Sequence, residues 1–129
     1  MNGKMAKWAT FGAMGLLSLL FLMAGGSKVT GSPEVVQPFE RYGLPIAFMY
    51  FIGVCEMAGA IGLWLNIKVV LPWLLRRLAA LGLAIIMVGA ITMHVLNDPV
   101  VMAIPAAVAL VLLLFLLRKF GQEPDADAV

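Results

Sequence analysis

Between Pro45 and Leu65 the only side chain charged at neutral pH is Glu56, set in an otherwise apolar run read GVCEMAGAIGL at residues 53–63. About 20 such residues are enough to cross a bilayer as one α-helix. Bringing a carboxylate to that depth costs about 2.5 kcal/mol or more, so it has to face protein or a wet cavity. A chain carrying this segment therefore needs further apolar helices to stand around one acid.

The sequence supplies three more. Trp8 to Gly26 is apolar with only Thr10 and Ser18 as hydroxyls, and similar stretches run from about Trp73 to Leu96 and from about Val100 to Leu117. With 44–65 these predict an all-α fold, an antiparallel four-transmembrane-helix bundle over residues 1–120, followed by an acidic tail at 121–129 expected to be disordered. A cleavable secretory signal is the rival reading of the first stretch, but its apolar part is longer than a usual signal core. The one long polar connection, Ser27 to Gly43, carries Lys28, Glu34, Glu40 and Arg41 among prolines and glycines. Part of it, Glu34 to Tyr42, has the pattern of a short amphipathic turn or two at the interface. Asn66–Pro72 with Lys68 and Asn97-Asp98-Pro99 read as turns, and Trp73 as an interfacial anchor. Lys4, Lys7, Lys68, Arg76, Arg77, Arg118 and Lys119 fall at one end of the four spans, and Lys28 and Arg41 at the other. That bias predicts cytoplasmic termini.

Composition agrees and excludes several classes. The chain is 63% hydrophobic and 12% charged, with a mean hydropathy of +1.02; it reads as an integral membrane protein, placed in a bacterial cytoplasmic membrane. A net charge of +2, with its cations flanking apolar runs, gives no surface for nucleic acid. One cysteine and one histidine rule out an intrachain disulfide and argue against a metal centre within one chain. No nucleophile triad, phosphate loop or carboxylate pair is legible, so a self-contained enzyme is not expected.

Three polar residues remain as candidates for ligand binding or proton handling: Glu56, His94 and Lys28. Gly53, Gly59 and Ala60 share the Glu56 face, which lets a neighbouring helix approach closely and turns the acid into the bundle. Glu56 lies roughly 16 Å from Pro45 at 1.5 Å per residue. His94 is near the outer end of its helix, so the two suggest a polar track leading inward rather than a tight pair. Lys28, Glu34, Glu40, Arg41, Asp98 and His94 together would form a charged vestibule above it. Each has a plainer reading: a structurally satisfied Glu56, an interfacial His94, a Lys28 that snorkels to the surface, and a Cys55 that merely packs.

Four stretches, FLMAGGSKVTG, FERYGLP, IGVCEMAGAIGLWL and LAALGLAIIMVGAITMHVLNDP, cover most of residues 21–99. In order and spacing they resemble the DoxX-like family of small four-helix membrane proteins, with Lys28, Glu56 and His94 on its recurring polar positions. The resemblance implies a range of roles. Archaeal relatives are a membrane subunit type of thiosulfate:quinone oxidoreductase, mycobacterial relatives belong to a membrane oxidative-stress complex, and distant eukaryotic relatives are assembly chaperones. Cys55 has no second cysteine, which counts against a thiol relay inside this chain. The leading expectation is an accessory, redox-associated subunit with an outward-opening pocket for a small apolar ligand such as a quinone. The alternative is a structural or assembly partner of membrane or redox proteins, or of its own copies, without ligand chemistry. A solute transporter ranks third, since no repeat or broken helix is visible.

Overall fold

The computed structural model describes residues 3–65 and 72–122. The expected turn at 66–71 with Lys68, the tail from residue 123 and the Trp73 side chain lie outside the described residues. Among these residues there are five α-helices: α1 (Gly3–Val29), α2 (Pro33–Arg41), α3 (Ile46–Gly62), α4 (Pro72–Asn97) and α5 (Ile104–Gln122), with a 3₁₀ turn at Val100–Ala103 before the last. The count of four is corrected to five, because the polar connection folds as the nine-residue α2. Pro33 starts it at a position where a missing N–H costs nothing. Helix α5 continues through residues expected to open the tail, ending at Gln122.

Both ends of α2 are set by glycines. Gly31 (φ 71°) and Gly43 (φ 76°) adopt the left-handed conformation that terminates α1 and α2. At each, two backbone bonds close the helix end: Gly31 N–H to Lys28 O with Ser32 N–H to Ser27 O, and Gly43 N–H to Glu40 O with Leu44 N–H to Phe39 O. A proline follows two residues after each glycine, at Pro33 and Pro45, and the next helix begins there or one residue later. The repeated Gly-x-Pro thus folds α2 across one end of the bundle, here termed the loop end.

Three helices, Gly3–Val29, Leu74–Asn97 and Val100–Gly121, are long and apolar enough to cross a membrane. The 17-residue α3 is the shorter apolar one; its rise of about 26 Å approaches the hydrocarbon thickness. The four long helices run antiparallel, with α1 against α3, α3 against α4, α4 against α5, and α5 back against α1. Their shared core contains Met14, Leu17 and Phe21 of α1, Ala60 of α3 with Leu63 just after it, Leu83 and Met87 of α4, and Leu113, Leu116 and Phe120 of α5.

The tightest crossing is between α1 and α3. A Cβ added at Gly25 would lie 2.7 Å from Gly53 O, and one at Gly53 would lie 2.8 Å from Lys28 Cβ and 2.9 Å from Gly25 O. Further along, Ser18 Oγ donates to Ala60 O at 3.0 Å and accepts from Trp64 Nε1 at 2.7 Å. Gly59 and Gly62 perform the same service toward α4, admitting Leu83 and Ala79. Gly25→Val is expected to destabilise the bundle by about 1–3 kcal/mol through overpacking against backbone. Gly26→Val, where a Cβ meets nothing within 4 Å, should be close to neutral; thermal unfolding in detergent compares the two.

At the opposite end the arginines bind helix termini as well as flanking the spans. Arg76 Nε donates to Leu63 O at 3.4 Å and its guanidinium lies 4.2 Å from the Phe120 ring centroid, while Arg77 donates to Phe120 O at 3.4 Å. Both cations thereby meet the carbonyl-rich ends of α3 and α5, where positive charge is favoured.

Candidate functional site

Beneath α2 the seam between α3 and α4 opens into a cavity of about 670 Å³, within the range of roughly 300–1,000 Å³ usual for small-molecule sites. One wall is the α3 stripe Phe48, Ile52 and Glu56, four residues apart and so on one helix face, with Leu44 just ahead of the helix. The facing wall is α4 from Ile85 to His94. Val35, Pro38 and Phe39 of α2, followed by Tyr42, form the roof. Glu56, the last of the α3 stripe, marks the end of the cavity farthest from α2.

Glu56 is 1% exposed. Its Oε1 is 2.7 Å from Lys28 Nζ, which reaches it from the last turn of α1 because Gly25 and Gly53 bring the two backbones together. The surface-anchor reading of Lys28 is therefore corrected. With 16% of its side chain exposed, the ammonium points into the bundle, where a carboxylate draws it more strongly than the interface does. Among the described residues Glu56 is its one side-chain partner.

His94 does not join this pair. It lines the same cavity near the roof, with Nδ1 2.8 Å from Asp98 Oδ2 and 3.3 Å from Tyr42 Oη. Tyr42 donates its hydroxyl to Asp98 Oδ2, and Arg41 donates to Asp98 Oδ1 at 2.6 Å. Asp98 thus collects three donors and ties the end of α2 to the end of α4. Those hydrogen bonds, from Tyr42, then His94, then Arg41, hold its carboxyl down at about 2. Burial, then the bond to Asp98 and its charge, push the Tyr42 phenol up to about 12. Facing the Asp98 carboxylate, Nδ1 of His94 acts as the donor.

The anticipated vestibule thus resolves into two groups on one cavity. Lys28 and Glu56 form the deep pair, and Arg41, Tyr42, His94 and Asp98 form a cluster at the roof; Glu34 lines the cavity and Glu40 is exposed on α2. Tyr42 was not legible as a functional residue. Its signal lay in the Arg41-Tyr42 pair before a helix-ending glycine, together with the four-residue spacing of His94 and Asp98. Cys55 is free and partly exposed. Among the described residues no three His, Cys, Asp or Glu side chains converge to hold a metal ion.

The sequence profile of the DoxX-like family matches residues 12–116, which takes in every residue lining the cavity. The chain belongs to the DoxX-like family. This DoxX-like chain is also similar to a protein of Bacillus subtilis (strain 168) described as uncharacterized protein YdgD, with 33% identity over 99 residues covering 71% of this chain and 81% of that one. No solved structure matches it. Its family and its apolar helices make it an integral membrane protein.

Proposed function

We propose that this DoxX-like protein is an accessory, redox-associated subunit of a bacterial cytoplasmic membrane that holds a small apolar, carbonyl-bearing ligand such as a quinone. The observation that carries this reading is the cavity itself. Its walls are mostly aliphatic and aromatic, and among its few polar groups the Lys28–Glu56 pair and His94 suit a ring with oxygens on opposite sides. Lys28 donates to one carbonyl, while Glu56 and His94 offer proton-exchanging groups. The excess of Lys and Arg at the opposite end of the bundle supports cytoplasmic termini and a loop end facing outward.

The test is direct. Protein in nanodiscs is titrated with decylubiquinone while thermal unfolding is followed, and organic extracts of the gently purified protein are searched for quinones. A ligand at 100 times its Kd should stabilise by about 2.7 kcal/mol. Ile52→Trp, which fills the cavity from the α3 wall, should abolish the shift and leave the helical spectrum intact. Absence of both a shift and an extractable quinone in the wild type would sink the proposal.

A second reading has its own observation. At 2.7 Å the Lys28–Glu56 pair is a buried ion pair between α1 and α3, as a purely architectural or assembly subunit would require. That reading predicts co-purifying membrane or redox proteins, or homo-oligomers, and no quinone response.

A further inference from the structure

The cavity is open on one flank. Phe48 of α3 and Ile85 of α4 line it and are also 44% and 64% exposed on the bundle surface. Gly89, one turn beyond Ile85, lines it too, and a Cβ added there meets nothing within 4 Å. The contacts that close the α3–α4 seam, Gly59 on Leu83 and Gly62 on Ala79, lie in the other half of the bundle. Near the loop end the seam therefore presents an aromatic ring, a branched alkyl chain and a bare backbone turn to the bilayer.

A rim of that chemistry favours a molecule already dissolved in hydrocarbon over a solute arriving from water. The roof side differs, since α2 covers it and the Asp98 cluster fastens α2 to α4. Inside, Lys28 Nζ carries three N–H donors and has Glu56 as its one side-chain partner among the described residues. Among the described residues Lys28 is the sole Lys or Arg on the cavity wall, against the carboxylates Glu34 and Glu56. That leaves no surplus positive charge for a carboxylate or a phosphate, while an uncharged carbonyl oxygen can accept a spare N–H.

We infer that the cavity takes an uncharged, carbonyl-bearing molecule sideways out of the bilayer through the α3–α4 seam at Phe48, Ile85 and Gly89, seating its carbonyl on Lys28 and leaving its tail in the seam. This rests on the cavity being a ligand site, as proposed above, and adds the route and the selection against a charged head.

The experiment compares three probes in phosphatidylcholine nanodiscs: decylubiquinone, the same quinone ring without its tail, and dodecyl phosphate. Gly89→Trp and Ile85→Trp place an indole in the seam, and either one serves should the other fail to fold. Both should weaken decylubiquinone by about tenfold or more, since the tail loses its apolar contacts, and weaken the tail-less ring by a clearly smaller factor. Dodecyl phosphate should bind more weakly than decylubiquinone to the wild type. Wild-type affinity for decylubiquinone in both seam variants, or equal loss of both quinones, would overturn the lateral route while the pocket stands. Tighter binding of dodecyl phosphate would overturn the selection for an uncharged head. Failure of the wild type to bind either quinone would overturn both this inference and the proposed function.

Discussion

Glu56→Leu is expected to lower stability by about 3–5 kcal/mol, the cost of leaving one partner of a buried ion pair uncompensated. Leucine is close to glutamate in volume, so the loss comes from charge and not from a cavity. Glu56 is 1% exposed and the Lys28 side chain 16%, which leaves little solvent to screen the stranded ammonium. The double variant Lys28→Met, Glu56→Leu should recover most of the loss, because replacing both members of a buried pair with apolar residues is often neutral. Unfolding in mixed detergent, run as a double-mutant cycle, measures the coupling. A single-variant loss below about 1 kcal/mol would mean that the two groups are solvated. The double variant also separates the two functional readings: under the ligand reading it is folded but no longer answers quinone, and under the architectural reading it is folded and fully competent.

Asp98→Ala is expected to release α2 from α4. Arg41, Tyr42 and His94 all lose their common acceptor, so amide exchange across residues 33–41 should accelerate by about tenfold or more while α1 and α3 keep their protection. The same fastening has a pH window. The Asp98 carboxyl, held at about 2 in the folded protein, contributes stability that is present above the free value of about 3.9 and is lost as pH falls through 2. The Tyr42 phenol, raised to about 12, contributes stability that is present below the free value of about 10 and is lost as pH rises through 12. Exchange in α2 should accordingly be slowest between about pH 4 and pH 10 after correction for intrinsic rates. Exchange in α2 that is unchanged by Asp98→Ala would show that packing of Val35 and Phe39 alone holds the roof.

What could be read from the sequence follows from periodicity and cost. Long apolar runs specify helices because lipid leaves backbone groups no other partner, so α1, α3, α4 and α5 were anticipated with ends displaced by a few residues. Gly53 and Gly59 beside Glu56 also identified the face turned into the bundle. Helix α2 was less legible, because Pro33 and Pro38 weigh against a helix locally whereas the glycines on either side set its ends. For Lys28, a candidate whose position at a helix end also suits a surface anchor, local sequence does not decide between the two. Its inward path depends on Gly25 meeting Gly53, a pairing between segments 28 residues apart that no local pattern reveals. Asp98 was legible as a turn former but not as the acceptor for Arg41 and Tyr42, which lie more than 50 positions away.

The Gly25–Gly53 crossing has a consequence for how the chain is made. Synthesis delivers α1 before α3, and an acid entering hydrocarbon by itself is penalised. Because the first helix arrives with Lys28 at the level where Gly53 will dock, the lysine acts as a built-in receptor for the carboxylate that follows. The ribosome's direction of travel thus supplies the cation before the anion that needs it.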